Sequence, residues 1–347
     1  MNREPVRMKR KVQQLGSSTL AVTLPADWAR QHGVEKGDEI IVQRDETGGS
    51  LLLVPERPAL ADAEVTVDAD LLSGEALERA VLTQYVLGRQ LIAIERTVPL
   101  DREHHDAVIA AERRLMGLGV VEQADRRITV RCSVAPADFD LPTLLGRLGR
   151  TEATMRRSAV ATLLEGDTDR AERVLTRDRQ VEKLFYLFLR LVFATYRDPR
   201  FNRAVGLETG FPLIGYRSVA QDVVLMANIA VEVAKIARGA GGRTPDAATA
   251  DRVRALGDAL ETAVSGTREA VTTPDHDGVE AAREAFDPVD AQLDRLNDHL
   301  ADERPEPLLA LQRAAVLLER SARHARDSLS VATHLAYRDD PDIVTGG

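Results

Sequence analysis

The chain has 347 residues, of which 44% are hydrophobic and 29% charged, as is typical of a globular protein of two or three domains. It has no apolar stretch long enough to span a membrane and no signal-peptide core, so we expect a cytoplasmic protein without membrane insertion. The net charge is −9. The first 30 residues nevertheless carry +4, which leaves −13 on the remaining 317 and predicts an anion-binding surface at the N-terminus.

Residues 8–54 predict a unit of two strands, a helix and two more strands. Gly16 separates the first two strands, Pro25 sets the backbone for helix entry, and Gly33 offers a left-handed helix end. The segment ETGGS predicts a hairpin between the last two strands. A unit this small cannot bury an adequate core, so we expect it to complete a barrel with a second copy of itself.

A linker, ERPALADAE, precedes an α+β module over residues 64–132, and we place the whole middle region at 59–138. Strands and helices alternate in this module, which favours a ferredoxin-like arrangement without fixing the strand order. Its run RITVRC contains the single cysteine, Cys132, which excludes a disulfide within the chain and predicts a buried core residue. We interpret the histidine cluster EHHD at 103–106 as a solvated helix start.

From Asp140 onward the pattern is entirely helical. Breaks rich in Gly, Pro and Asp separate six predicted helices, near 141–165, 168–197, 213–239, 246–272, 276–301 and 306–338. VLTRDRQVEKL at 174–184 aligns with FDPVDAQLDRL at 286–296, an offset of 112 residues, which indicates two three-helix repeats, about 140–239 and 246–338. We expect residues 339–347 to be a disordered tail.

The order of motifs at the N-terminus gives the first resemblance. Gly16, the TLP before the helix and the KGDEI turn at 36–40 resemble the AbrB/MazE/SpoVT swapped-hairpin DNA-binding domain, here assigned to residues 1–58. The resemblance implies an intertwined homodimer whose first hairpins contact double-stranded DNA.

Charge and hydroxyl groups in the head suit that role. Lysine and arginine bind DNA by neutralising phosphates and releasing counterions, and arginine also reads guanine edges. Hydroxyls can bond phosphate oxygens, although the serines and the threonine could equally be turn residues that satisfy their own backbone. The candidate DNA-binding residues are Arg7, Lys9, Arg10, Lys11, Ser17, Ser18 and Thr19.

The helical segment resembles the PhoU family of phosphate-uptake regulators. The resemblance rests on two acidic pairs, Asp178 with Glu182 and Asp290 with Asp294, and on the third-helix runs MANIAVEVAKIA and LLERSARHARDSL. The whole fold is therefore expected to be mainly α, with a small swapped-hairpin β-barrel head, a small α+β middle module and a six-helix PhoU-like body of two three-helix bundles.

In the PhoU family, such acid pairs face acids on the third helices and bind iron or zinc clusters. Candidate metal ligands here are Asp178, Glu182, Asp290, Asp294 and Glu319. The motif is degraded, because Ala220, Val224 and Arg323 stand where acids are expected. We therefore expect no intact multinuclear cluster and assign no cofactor, and we expect Arg323 to balance Asp290 and Asp294. The alternative is that these acids simply face solvent.

No catalytic arrangement is evident, and we expect no enzyme. The favoured function is a dimeric, DNA-binding transcription regulator of phosphate uptake, whose body relays phosphate status. The alternative is a PhoU-like adaptor that contacts a phosphate transporter or sensor protein and uses its head only for dimerisation. Antitoxin-like behaviour is a third possibility, which the long structured body disfavours.

Overall fold

The computed structural model describes residues 9–44, 51–55, 64–197, 201–207 and 210–338. The chain divides into two compact units, residues 1–61 and 62–347, which are described separately below. Most of the predicted linker and all of the predicted tail at 339–347 lie outside the described residues.

The first unit is the β-rich head. Its elements are β1 (Gln13–Leu15), β2 (Thr19–Ala21), α1 (Ala26–Gln31), β3 (Ile40–Arg44) and β4 (Leu51–Pro55), in the predicted order. β1 pairs antiparallel with β2, and β3 with β4, so the described strands form two separate two-stranded sheets. Pro25 precedes α1, and Gly33 follows it with a left-handed φ of 64°, as the sequence predicts.

The second unit begins with the α+β module. Its elements are β5 (Val65–Asp68), α2 (Gly74–Val86), β6 (Leu91–Glu95), α3 (Arg102–Arg114), β7 (Leu118–Ala124) and β8 (Arg127–Cys132). The sheet order is β5-β6-β8-β7, with β5 parallel to β6 and the other pairs antiparallel. Cys132 is 4% exposed, so the prediction of a core cysteine is confirmed.

The ferredoxin-like assignment is wrong. A ferredoxin-like module runs β-α-β-β-α-β, whereas this module runs β-α-β-α-β-β and closes with a β7–β8 hairpin. The alternating pattern predicts the elements because each depends on local periodicity. Pairing β8 with β6 is a contact across more than 30 residues, and local periodicity carries no information about it.

The helical body follows a short 3-10 turn at Pro136–Asp138. Its first repeat contains α4 (Leu141–Glu165), α5 (Thr168–Arg197), the short α6 (Asn202–Val205) and α7 (Phe211–Gly239). Its second repeat contains α8 (Ala247–Thr272), α9 (His276–Glu284), α10 (Asp287–Asp302) and α11 (Leu308–Tyr337). Asp140 and Asp246 cap α4 and α8 by accepting backbone amides, and Gly166 ends α4.

The prediction of six helices is wrong in two places. The predicted fifth helix, 276–301, is divided into α9 and α10, with Ala285 and Phe286 between them. Pro288 explains the division, because its ring lacks an amide hydrogen and conflicts with the carbonyl four residues earlier. The short α6 is an additional element in a segment with no helical pattern.

The third helices hold the two repeats together. α7 packs against α4, α5 and α11, while α11 packs against α7, α8, α9 and α10. α4 also contacts α8, and an ion network is buried at that contact. The Arg156 Nε donates to Glu152 at 2.8 Å, and its Nη2 lies 3.0 Å from Glu261 on α8. Both Glu152 and Arg156 are at most 3% exposed.

The α+β module is anchored to the first repeat by Arg190 on α5. This buried guanidinium donates to the carbonyls of Tyr85 at 2.6 Å and Arg89 at 3.0 Å. It also lies 4.9 Å from the centre of the Tyr85 ring. The end of α2 therefore supplies carbonyl acceptors to a cation from the body, which makes the module and the body one unit.

Candidate functional site

The candidate DNA-binding residues lie along the first hairpin of the head. Lys9, Arg10 and Lys11 are exposed directly before β1, and Thr19 begins β2. Ser17 and Ser18 form the turn with Gly16, whose φ of 80° is the left-handed conformation that glycine adopts easily. Arg7 lies outside the described residues. The hairpin therefore carries a run of cations before β1 and a turn of hydroxyls after it.

The same head leaves large apolar side chains in solvent. None of its residues whose side chains the structure describes is buried. The most exposed large ones have between 36% and 70% of their surface accessible: Val12, Leu15, Leu20, Val22, Ile41, Val42, Leu51, Leu52 and Leu53. Apolar surface of this extent is typical of a protein interaction surface. Within one chain, the described head has no core of its own.

The first acidic pair lies on α5 and faces cations. Arg114 of the α+β module forms an ion pair with Glu182 and donates to Glu78 at 2.5 Å and to the Tyr186 hydroxyl at 3.1 Å. The hydrogen bond to Glu182 is the main reason that the pKa of Arg114 is raised. A guanidinium therefore binds one of the two carboxylates that the resemblance assigns to metal.

Asp178 is the other acid of this pair and is half-buried. Burial raises its pKa, and the neighbouring Glu182 charge raises it further, while the Lys235 ammonium on α7 lowers it. Ala220 is fully buried in the core, and the partly buried Val224 packs against that core. These two positions of α7 offer no ligand atoms.

The second acidic pair lies on α10. Arg326 of α11 donates to both oxygens of Asp290 at 2.7 Å and lies 4.6 Å from the centre of the Phe286 ring. Asp294 is exposed, and Glu319 lies 3.5 Å from Arg323 on its own helix. The expectation that Arg323 balances Asp290 is therefore wrong. Arg323 is 67% exposed and faces solvent, whereas Arg326, three residues later, faces α10.

A further cluster was not predicted from the sequence. It brings together Asp222 on α7 with His324 and Asp327 on α11, and one ligand atom from each lies within 4.8 Å of the others. Asp222 lies about a hundred positions from the other two residues, and none of the three is among the acidic positions that the resemblance assigns to metal. The available signal was their place on the third helices of the two repeats, which pack against each other.

His104 is also placed differently from the prediction. It is 2% exposed, with Nδ1 at 2.7 Å from Asp101 and Nε2 at 3.1 Å from the Ala69 carbonyl oxygen. The interpretation of EHHD as a solvated helix start is therefore wrong for this histidine. Because Asp101 caps α3, its carboxylate turns toward the first helical turn and brings the imidazole inward.

The fold and these sites define a protein with a small β-rich head, which leaves apolar surface exposed, and a larger helical body made of two repeats. Sequence comparison assigns a family to each part. Residues 13–61 match the MazE antitoxin family, whose description is "Antidote-toxin recognition MazE, bacterial antitoxin". Residues 145–237 match the PhoU domain. The protein thus carries a MazE/AbrB-like domain at its N-terminus and a PhoU domain in its helical body.

Among solved structures, the chain is similar to the crystal structure of PhoU from Pseudomonas aeruginosa. The identity is 18%, the match covers 56% of this chain and 94% of that one, and the TM-score is 0.47. No curated protein matches the chain significantly. Across the residues that the structure describes, every helix is too short or too polar to cross a bilayer.

Proposed function

We propose that this protein is a cytoplasmic, DNA-binding transcription regulator of phosphate uptake that acts as a homodimer and has no catalytic role. The association of a MazE/AbrB-like head with a PhoU domain supports the proposal. The observation that carries it is the first hairpin, where a basic run and a hydroxyl turn adjoin exposed apolar strands.

The exposed strands account for the dimer. A second copy of the head would cover the side chains of both hairpins, and burying apolar surface contributes about 25 cal/mol per Å². Two heads also double the cations from Arg7, Lys9, Arg10 and Lys11. Eight positive charges on one assembly would bind duplex phosphates, while the acidic remainder of each chain is repelled by them.

The body would act as the sensor. A signal can change DNA binding only if it binds two conformations of the body with different affinities. The contact between α7 and α11 joins the two repeats and is the natural place for such a difference. The involvement of phosphate rests on the PhoU match alone.

Removal of the basic run tests DNA binding. The variant Lys9→Ala, Arg10→Ala, Lys11→Ala removes six cations from a dimer. We expect its affinity for promoter DNA, measured by fluorescence anisotropy, to fall at least 100-fold, and the slope of log K against log salt to decrease by roughly 5.

A matched control removes the same charge from the body through Arg102→Ala, Arg179→Ala and Arg320→Ala, all at exposed positions. Its DNA affinity should match that of the native protein, and light scattering should give a dimer for all three proteins. If the native dimer fails to bind DNA at moderate salt, the adaptor function replaces this proposal.

Chromosomal binding maps test the pathway. We expect sites upstream of phosphate-transport genes whose occupancy changes between phosphate-replete and phosphate-starved cells. Specific binding elsewhere, unaffected by phosphate, would leave a DNA-binding protein but remove phosphate from the proposal.

A further inference from the structure

The contact between α7 and α11, here called the seam between the two repeats, contains an unusual set of polar groups. α7 and α11 run antiparallel, since Gly215 lies against Val331 at one end and Gly239 lines a groove with Leu308 at the other. Asp222, His324 and Asp327 lie near the middle of this seam. Asp222 and His324 are partly buried, and Asp327 is exposed.

The distances within the cluster are too long for hydrogen bonds. The Nδ1 of His324 is 3.5 Å from an oxygen of Asp222 and 3.8 Å from an oxygen of Asp327. This nitrogen is inaccessible to solvent and has no hydrogen-bond partner. Protein ligands about 2.1 Å from a shared tetrahedral ion lie about 3.4 Å apart. Small side-chain adjustments would bring all three atoms into that arrangement.

Apart from His324 itself, no basic side chain described in the structure pairs with the two aspartates of the cluster. Within the described residues, neither aspartate forms an ion pair with a lysine or an arginine, and the neighbouring Arg323 and Arg326 are engaged by Glu319 and Asp290. The seam thus differs from the pairs at Asp178 and Asp290, where basic side chains already supply the positive charge.

Ser328 fixes the orientation of one carboxylate. Its hydroxyl, one helical turn after His324, donates to the Oδ2 of Asp222 at 3.2 Å. The other oxygen, Oδ1, is the one that faces the imidazole. Hydrogen bonds of this kind orient metal ligands in proteins.

We propose that Asp222, His324 and Asp327 bind a single divalent transition-metal ion such as Zn²⁺, Co²⁺ or Mn²⁺. One imidazole and two carboxylates suit ions of this class, and water would complete the coordination. The site joins the third helices of the two repeats and is separate from the acidic pairs on α5 and α10. It is independent of DNA binding, so either proposal can fail alone.

The test uses the full chain after treatment with EDTA and dialysis. Titration with Zn²⁺ in a calorimeter should give one equivalent per chain with a micromolar or lower Kd. Titration with Co²⁺ should produce visible absorption bands of a low-coordinate, protein-bound ion. Less than a tenth of an equivalent bound at 100 μM free Zn²⁺, on the order of a very weak surface site, would overturn the proposal.

Variants locate the ion. His324→Gln and Asp327→Asn should each weaken binding at least tenfold, and Ser328→Ala about tenfold. Asp327 is exposed, so its variant keeps the experiment decisive if another variant fails to fold. The control Asp290→Asn with Asp294→Asn should bind like the native chain. Loss of the ion in this control, with retention in His324→Gln, would assign the metal to α10 and refute the seam site.

Discussion

The head and the body bury their side chains to very different extents. In the body, even a charged network is enclosed, because Arg156 meets Glu152 and Glu261 between α4 and α8. In the head, leucines and valines remain in solvent, and none of the side chains described there is buried. The described body encloses a core and the described head does not, so the head is the unit whose stability we expect to depend on another molecule.

Breaking the buried ion network should have the largest effect. Glu152→Ala leaves Arg156 buried with fewer acceptors, and we expect a loss of about 3–5 kcal/mol from the free energy of unfolding of the body. Far-UV circular dichroism during urea titration measures it. Glu165→Ala on the same helix is the control, since its partner Arg170 is partly exposed and the loss should be about 1 kcal/mol at most. Equal losses in the two variants would contradict the expectation.

Substituting the glycine that ends α4 should have the next largest effect. Gly166 has a φ of 69°, and a Cβ there would lie 2.6 Å from the carbonyl oxygen of Gly242. We expect Gly166→Ala to cost about 2–3 kcal/mol by the same titration. Gly239→Ala, where a Cβ would meet no atom within 4 Å, should leave stability almost unchanged. If Gly166→Ala left the free energy of unfolding unchanged, it would show that the turns at Gly166 and Gly242 can move apart.

Dilution should separate the head from the body. Trp28, the single tryptophan, lies in α1, so its fluorescence follows the head alone. If the head is stabilised by pairing, a tenfold dilution should lower its apparent stability by about 1.4 kcal/mol. The circular dichroism of the helices should not change with concentration. If the unfolding transition followed by Trp28 fluorescence did not depend on protein concentration, the head would not need pairing for stability, and this difference from the body would be refuted.

The smallest effect concerns acid stability of the α+β module. The hydrogen bond from His104 is the largest cause that lowers the pKa of Asp101 from 3.8 to about 2. A lowered folded-state pKa adds stability above the unfolded value, and this is lost as pH falls from about 4 toward 2. The Asp101→Asn variant should therefore be less stable at pH 6, with the difference fading as pH falls from about 4 toward 2. If the stability difference between native protein and variant did not change with pH, the effect would come only from the role of Asp101 as the N-cap of α3.

Local chemistry predicts much of this fold. Asp140, Asp246 and Gly166 mark helix ends because a cap depends on a few neighbouring residues. The alternation in RITVRC predicts a strand and a buried Cys132 for the same reason. Pro288 was visible too, yet the periodicity on either side of it favoured one continuous helix over the observed break.

Contacts between distant segments could not be predicted in this way. Arg114 binds Glu182 from another module, and Asp222 meets His324 from another repeat. Each such contact depends on which helix faces are adjacent, and that follows only from the assembled body. The choice of Arg326 over Arg323 as the partner of Asp290 has the same origin, since the two arginines are neighbours on α11 and only the packing of α11 against α10 decides which one reaches the carboxylate.

The anchoring of the α+β module by Arg114 and Arg190 has a consequence for valency. Both arginine contacts are made with α5, the outer helix of the first repeat, whereas its counterpart α10 packs against α8 and α11 of its own repeat. The two repeats of the body are therefore not equivalent on their outer sides, because, among the described residues, α5 is covered by the α+β module and α10 is not. A partner that recognises the α5 side, or the α10 side, would find one such surface per chain. Two chains would then offer two equivalent binding positions, whereas identical repeats would offer four.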